Sequence, residues 1–207
     1  MTKSSFTQQP SYFYGMPDVY MQMGYYPFPT QPATEQMSRS VHVPYAMSMA
    51  SGCKYYLGQS EKIVAGGKEQ GFGALVNPLR STAVLYVNRW LVTNSSAQPL
   101  EAHIWFGKAS TIVGSKTSRH VTPGYVQLPP CPAVQGQILF GSCHSDITRD
   151  GTVASTRIIP PMTTVEQEPS GQWILGPGMA MMIHVPPTSE ETPFFFSVDW
   201  WEQSVFG

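Results

Sequence analysis

Cys143-His144-Ser145-Asp146 is the densest gathering of reactive side chains in the sequence. A thiol beside an imidazole, with a carboxylate nearby, is the set a nucleophilic cysteine or a metal ion would use. The spacing opposes that use. Neighbours on a strand point to opposite faces, so Cys143 and His144 diverge wherever the backbone is extended. The next residues, Asp146–Gly151 (DITRDG), place acid, hydroxyl, acid and glycine as a calcium loop would. The twelfth position, however, is Arg157, a cation where such a loop needs a clamping carboxylate. Asp150-Gly151 is therefore read as a turn. His42, His103, His120 and His184 each stand alone in their segments, and His103 and His184 sit inside strand-like runs as structural histidines. Asn94-Ser95-Ser96 is a formal glycosylation acceptor that reads as a loop. There is no nucleophile elbow, zinc-protease helix, Walker loop or dinucleotide fingerprint. No catalytic residue, metal ligand or cofactor is assigned, and the expectation is a non-enzymatic protein.

The three cysteines, Cys53, Cys131 and Cys143, form no C-x-x-C pair. They allow one bridge plus one thiol, an intermolecular bridge, or three buried thiols. On an oxidising particle surface a bridge is expected from this set. The tryptophans Trp90, Trp105, Trp173, Trp200 and Trp201 offer either a sugar-stacking platform or core and interface anchors. Trp200 and Trp201 face opposite ways on a strand, which places one outside the core. Trp105 and Trp201 are accordingly the expected contact surface, with a subunit favoured over a glycan because interface anchors are commonly Trp, Tyr and Arg.

The elements that must carry these residues read as β. The chain has 207 residues, of which only 12% are charged, with 18 glycines, 19 prolines and a formal net charge of -1. That balance offers no electrostatic attraction to nucleic acid or anionic lipid. No apolar run is long enough to span a bilayer, and no secretory signal is read at the N-terminus. The expectation is synthesis in the cytoplasm, without membrane insertion. From residue 41 onward short strand patterns follow one another. They include Val41–Ala50, Cys53–Gly58, Gly71–Pro78, Ala83–Asn94, Leu100–Gly107, Gln135–Cys143, Val153–Pro160 and Pro193–Gln203. In Leu100–Gly107, Ala102, Ile104 and Phe106 share one face while Glu101, His103 and Trp105 share the other. Strands of this length with frequent turn signals predict an all-β chain, a single antiparallel sandwich over residues 41–207 with jelly roll as the leading topology.

Residues 1–40 differ in kind and are read as an extended arm. Phe6, Tyr12, Phe13, Tyr14, Tyr20, Tyr25, Tyr26 and Phe28 crowd a stretch punctuated by Pro10, Pro17, Pro27, Pro29 and Pro32. Those prolines exclude a long helix and interrupt a ladder. Three readings stand: a disordered tail, extra core packed on its own domain, or an arm reaching a neighbouring subunit. The third is favoured, with Tyr12, Phe13, Tyr14, Tyr20, Tyr25, Tyr26 and Phe28 as the subunit contacts, since aromatic area and pairing to a sheet edge together supply affinity and register.

The stretches GALVNP (Gly73–Pro78), LYVN with VTN (Leu85–Asn94), AHIWF (Ala102–Phe106), RIIPPMTTV (Arg157–Val165), GPGMAMMIHV (Gly176–Val185) and VDWWE (Val198–Glu202) occur in an order that resembles a small uncharacterised family from spore-forming Firmicutes. The resemblance covers roughly residues 45–203. It implies one β-rich domain and a spore-forming host, and supplies no catalytic residues. It also leads one to expect family members to begin near the Lys54–Gly58 strand, with the arm as an addition. The reading that follows is a self-assembling homo-oligomer or filament of a spore surface or appendage. Its partners are itself, other surface proteins or glycan. A phage capsid-associated or tail protein and a carbohydrate-binding module are the alternatives.

Overall fold

The computed structural model describes residues 43–145 and 147–205. The arm residues Tyr12, Phe13, Tyr14, Tyr20, Tyr25, Tyr26 and Phe28 lie outside the described residues, as do His42 and Asp146. One short helix, α1 (Tyr45–Ser51), precedes the strands β1 (Tyr55–Gln59), β2 (Ile63–Ala65), β3 (Gln70–Val76), β4 (Ala83–Asn94), β5 (Leu100–Lys108), β6 (Lys116–Thr117), β7 (His120–Pro123), β8 (Gln137–Cys143), β9 (Gly151–Ile159), β10 (Thr164–Gln167), β11 (Trp173–Leu175), β12 (Met179–Val185) and β13 (Thr192–Ser204).

The strand expected over Val41–Ala50 is not formed, because Tyr45–Ser51 is helical. Pro44 fixes φ at -53° just ahead of the first turn and has no N–H to give a ladder. Ala46, Met47, Met49 and Ala50 then supply good helix formers. Elsewhere the expected all-β sandwich is what the chain builds. One sheet runs β10-β4-β13-β1-β7, with β11 also on β4 and β2 also on β13; the other runs β6-β8-β3-β12-β5-β9. All pairs are antiparallel. Setting aside the short or inserted strands β2, β6, β7 and β8 leaves β1, β13, β4 and the β10–β11 pair facing β3, β12, β5 and β9. The chain crosses between these two sets in jelly-roll order. The insertion between β5 and β9 adds β7 to the outer side of β1, and β8 with β6 to the outer side of β3.

Side-chain periodicity explains the layers. On β4 inward Leu85, Val87, Trp90 and Val92 are buried between less buried neighbours, as in a sheet covered on one face. On β3 every residue is buried, and on β12 all but Met179, as in a sheet covered on both faces. The main core packs these inner faces together around Trp90, Trp200, Phe194, Phe196, Leu75 and Ile104. A second cluster, Phe72, Ala74, Val76, Trp105, Ile112, Ile147, Ala180 and Met182, sits on the outer face of the second sheet. Residues around Ile112 and Ile147 roof that face. Two bulges bend the strands. Asp199 pairs with Arg89 and Trp200 with Val87, so Asn88 is the extra residue on β4. Likewise Ser155 pairs with Ile104 and Val153 with Trp105, so Ala154 is the extra residue on β9.

Candidate functional site

The outer face of the first sheet carries a polar network built across three neighbouring strands. Tyr55 comes from β1, Asn88 and Arg89 from β4, and Asp199 from β13. The Asn88 bulge lets consecutive residues of β4 serve the same network. Arg89 donates from Nε (2.9 Å) and Nη2 (2.8 Å) to Asp199 Oδ2. Tyr55 Oη donates to the same oxygen at 3.4 Å and accepts from Asn88 Nδ2 at 2.9 Å. Arg89 Nη1 lies 3.8 Å from Glu166 Oε2 of β10. Burial pushes the Asp199 carboxyl up, against the pull of Arg89, which hydrogen-bonds to it. The Arg89 guanidinium is held more firmly protonated by Asp199. Burial, reinforced by the Asp199 charge, pushes the Tyr55 phenol up to about 12. Tyr55 is therefore a hydrogen-bond donor at neutral pH. The arrangement is a brace that ties β1, β4, β10 and β13 together. Beside it lies an open groove of about 520 Å³, lined on the β7 side by Arg119 and His120 and floored by Leu57 and Leu91.

A second polar row crosses the outer face of the other sheet. Gln70 Nε2 donates to the Ser145 carbonyl and lies 3.6 Å from Cys143 Sγ, while Gln70 Oε1 meets His184 Nε2 at 2.6 Å. An amide oxygen only accepts, so His184 presents an N–H there. The His184 ring lies 5.6 Å from that of His103, and His103 Nε2 is 2.8 Å from Glu101 Oε1. Of the cluster read from sequence at Cys143–Asp146, Cys143 ends β8 and His144 lies past the strand in a bend, so strand alternation does not govern the pair. Cys143 Sγ donates to the Ser145 carbonyl at 3.4 Å, and His144 turns away to Glu69, 3.2 Å from its Nε2. Among the described residues no three His, Cys, Asp or Glu side chains gather to hold a metal ion.

The tryptophan expectation is corrected. Trp105 is fully buried and Trp201 nearly so, so neither offers an exposed contact face. Trp200 and Trp201 do point to opposite sides, but the outer side is roofed. Trp201 stacks on Tyr86 (5.6 Å between centroids) and receives Tyr45 of α1 edge-on (5.3 Å). Trp105 lies across Gly107 and Gly151, which face each other on β5 and β9. A Cβ on either glycine would fall 2.0–2.1 Å from its ring. Its indole N–H donates to the Thr148 carbonyl at 3.0 Å. Trp173 stacks on Trp90 at 6.4 Å. No exposed coplanar tryptophan pair exists among the described residues.

Cys53 and Cys131 form a disulfide within the chain, and Cys143 is a free thiol. The bridge ties the end of α1 to the loop after β7. Asn94, the formal glycosylation acceptor, is fully buried: its Nδ2 donates to the carbonyls of Gln98, Ile159 and Pro160.

The sequence reading passed over Tyr55, Asn88, Arg89 and Asp199. Their signal is an Arg and an Asp placed inside two otherwise apolar strand runs, a pattern that asks for a partner even before the pairing is known. Residues 30–206 match the model of a family of unknown function (DUF6143), and the chain belongs to that family. The match begins upstream of the Lys54–Gly58 strand, so residues 30–40 of the expected arm fall within the family's common region. No curated protein and no solved structure matches the chain.

Proposed function

We propose that this chain is a non-enzymatic, self-associating structural protein in which residues 1–40 link neighbouring subunits. One observation carries the reading: exposed apolar side chains gather where the described domain begins. Val43, just ahead of α1, and Tyr45 and Met47 on it are exposed. Tyr125, Val126 and Leu128 are exposed on the loop that the Cys53–Cys131 bridge holds to the end of α1, with Val126 and Leu128 85% and 94% accessible. An apolar patch of this kind marks a protein contact. It follows directly, in sequence, on the aromatic segment. A spore surface or spore appendage is the setting the family resemblance favours, with release by lysis of the mother cell. A phage virion protein is the second reading, favoured by the jelly-roll connectivity that capsid proteins also use. The glycan-binding reading is weakened by burial of the tryptophan faces it would need.

Electron microscopy and sedimentation of the full-length chain beside a chain starting at Ser40 test the assembly reading, with circular dichroism as the folding control. Rings, sheets or filaments from the full-length chain alone are expected. Folded monomers from both chains would overturn it. Immunolabelling of sporulating cells, and of phage lysates, separates the two settings.

A further inference from the structure

We infer that the free edge of β9 is the receptor for the proline-free stretch Asp18–Tyr26 of a second copy of this chain, an inference that rests on the assembly reading above. Each sheet ends in two edge positions, and three of the four are blunted. β6 has two residues, β7 has four and ends in Pro123, and β10 and β11 divide their edge into runs of four and three. Short edges and proline are standard protection against pairing with another chain. β9 has nine residues and pairs on one side only, with β5. It contains no proline, lysine or acid. Its one charge, Arg157, is turned to Gln167 Oε1 at 3.0 Å. Of the nine residues only Ile159 is buried, Ser155 and Arg157 are half-buried, and the other six are exposed. Beyond the Ala154 bulge, Ser155–Ile159 pair in regular register with β5, and no strand pairs with their outer edge, where Arg157 Nη1 donates to the Thr156 carbonyl and Asn94 Nδ2 to that of Ile159. Val153, Thr156 and Ile158 pair with Trp105, His103 and Glu101, and form the row on the outer face.

The arm carries the complement. Between Pro17 and Pro27 the nine residues Asp18–Tyr26 are free of proline and long enough to cover that run. In extended form Val19, Met21, Met23 and Tyr25 share one face and suit Val153 and Ile158. Asp18 and Gln22 share the other and suit the row that holds Arg157. Main-chain pairing supplies the affinity of such an added strand, and the alternate side chains supply its register. Residues 27–42 then span roughly 50 Å if extended. That exceeds the ~40 Å breadth of a domain of this size, so the stretch can reach a neighbour. One arm and one receptor edge per copy make a head-to-tail contact, which closes a ring or propagates a filament.

Cysteine pairing in the full-length chain tests this. In a Cys143→Ser background, one set of chains carries Val19→Cys, Met21→Cys or Met23→Cys, and a differently tagged chain carries Thr156→Cys. Mixing and oxidation should give a bridged pair bearing both tags for at least one arm position. Its yield should be at least about tenfold above a control with Leu79→Cys, because strand pairing raises the effective concentration of the thiols. Self-linking of Thr156→Cys without an arm cysteine would mean that β9 pairs with β9, and would overturn the inference. A bridge found only inside one doubly substituted chain would overturn it in favour of the arm folding onto its own domain. No bridge from any arm position, while the full-length chain still sediments as an assembly, would overturn the receptor and leave the assembly reading standing. A monomeric full-length chain would overturn both.

Discussion

The outer faces of the two sheets solve one problem in opposite ways. The second sheet covers much of its outer face with another apolar layer, Phe72, Trp105, Ile112, Ile147 and Met182, beside the polar row of Gln70, His184 and His103. The first sheet leaves much of its outer face to a groove and spans it with the Tyr55–Asp199–Arg89 brace. Only its far end is roofed, by α1 over Trp201. Apolar burial scales with the area removed from water, at about 25 cal/mol per Å², whereas a partly exposed ion pair is worth ~0–1 kcal/mol. The second face is thus a stability element, and the first is a surface whose residues hold strand positions and leave room for a contact.

The comparison orders four expected effects. Trp105→Ala should cost the most, about 3–5 kcal/mol in urea unfolding, because it removes a fully buried indole from the second cluster. A cost below that of any change to the brace would mean that the second face is not the stronger. Cys131→Ser should come next, at about 2–4 kcal/mol, since the bridge closes a 78-residue separation and fixes the roof of the first face. Loss of the Trp201 near-UV dichroism without global unfolding is the sign that the roof alone has opened. Asp199→Ala should cost about 1–3 kcal/mol, because it leaves the Tyr55 hydroxyl and Arg89 without their shared acceptor. The lower end is expected, since the Arg89 side chain is 37% exposed. The smallest effect is a pH dependence. Tyr55 keeps its proton in the folded chain to about 12, above its ordinary 10.0. Its contribution is complete below pH 10 and is lost as pH rises from 10 toward 12. Tyr55→Phe should therefore flatten the alkaline limb of the unfolding curve. An unchanged limb would show that the brace does not hold the phenol.

The same contrast decides what was readable in advance. The partial alternation of Ala83–Asn94 agrees with the one covered face of that strand, and Met179–Val185, apolar but for His184, agrees with a strand covered on both. Frequent turns between short strands predict the sandwich with jelly roll as its leading topology, while the strand order is visible only in the pairing. What escaped depends on contacts distant in sequence. Trp201 alternates outward on its strand, and segments distant in sequence make that position buried: Tyr45 of α1, some 150 residues upstream, and Gly171, whose Cβ would fall 2.2 Å from the ring. The pairing of Cys53 with Cys131 is likewise a property of the folded loop. The helix at Tyr45–Ser51 lost to a strand reading because its Met and Tyr residues suit both states, while Pro44 and the alanines carried the deciding preference. The brace was missed because each of its members looks ordinary alone. Asn94 and Asn77 lie in the stretches that carried the family resemblance, and both are buried and donate to carbonyls at strand ends, Asn77 to Ala83 and Leu175 and Asn94 to Ile159.

Among the described residues β13 comes last in chain order, yet it lies between β1 and β4 at the middle of its sheet. It pairs with β4 along Ala83–Asn94 and with β1 along all five of that strand's residues. Translation must pass residue 204 before that slot can be filled. Until then β1 and β4 have no common neighbour, and the ion pair between Arg89 and Asp199 has only one of its members. The first sheet therefore closes through pairings distant in sequence, and the slot between β1 and β4 stays open in any partly folded state in which β13 is not yet placed.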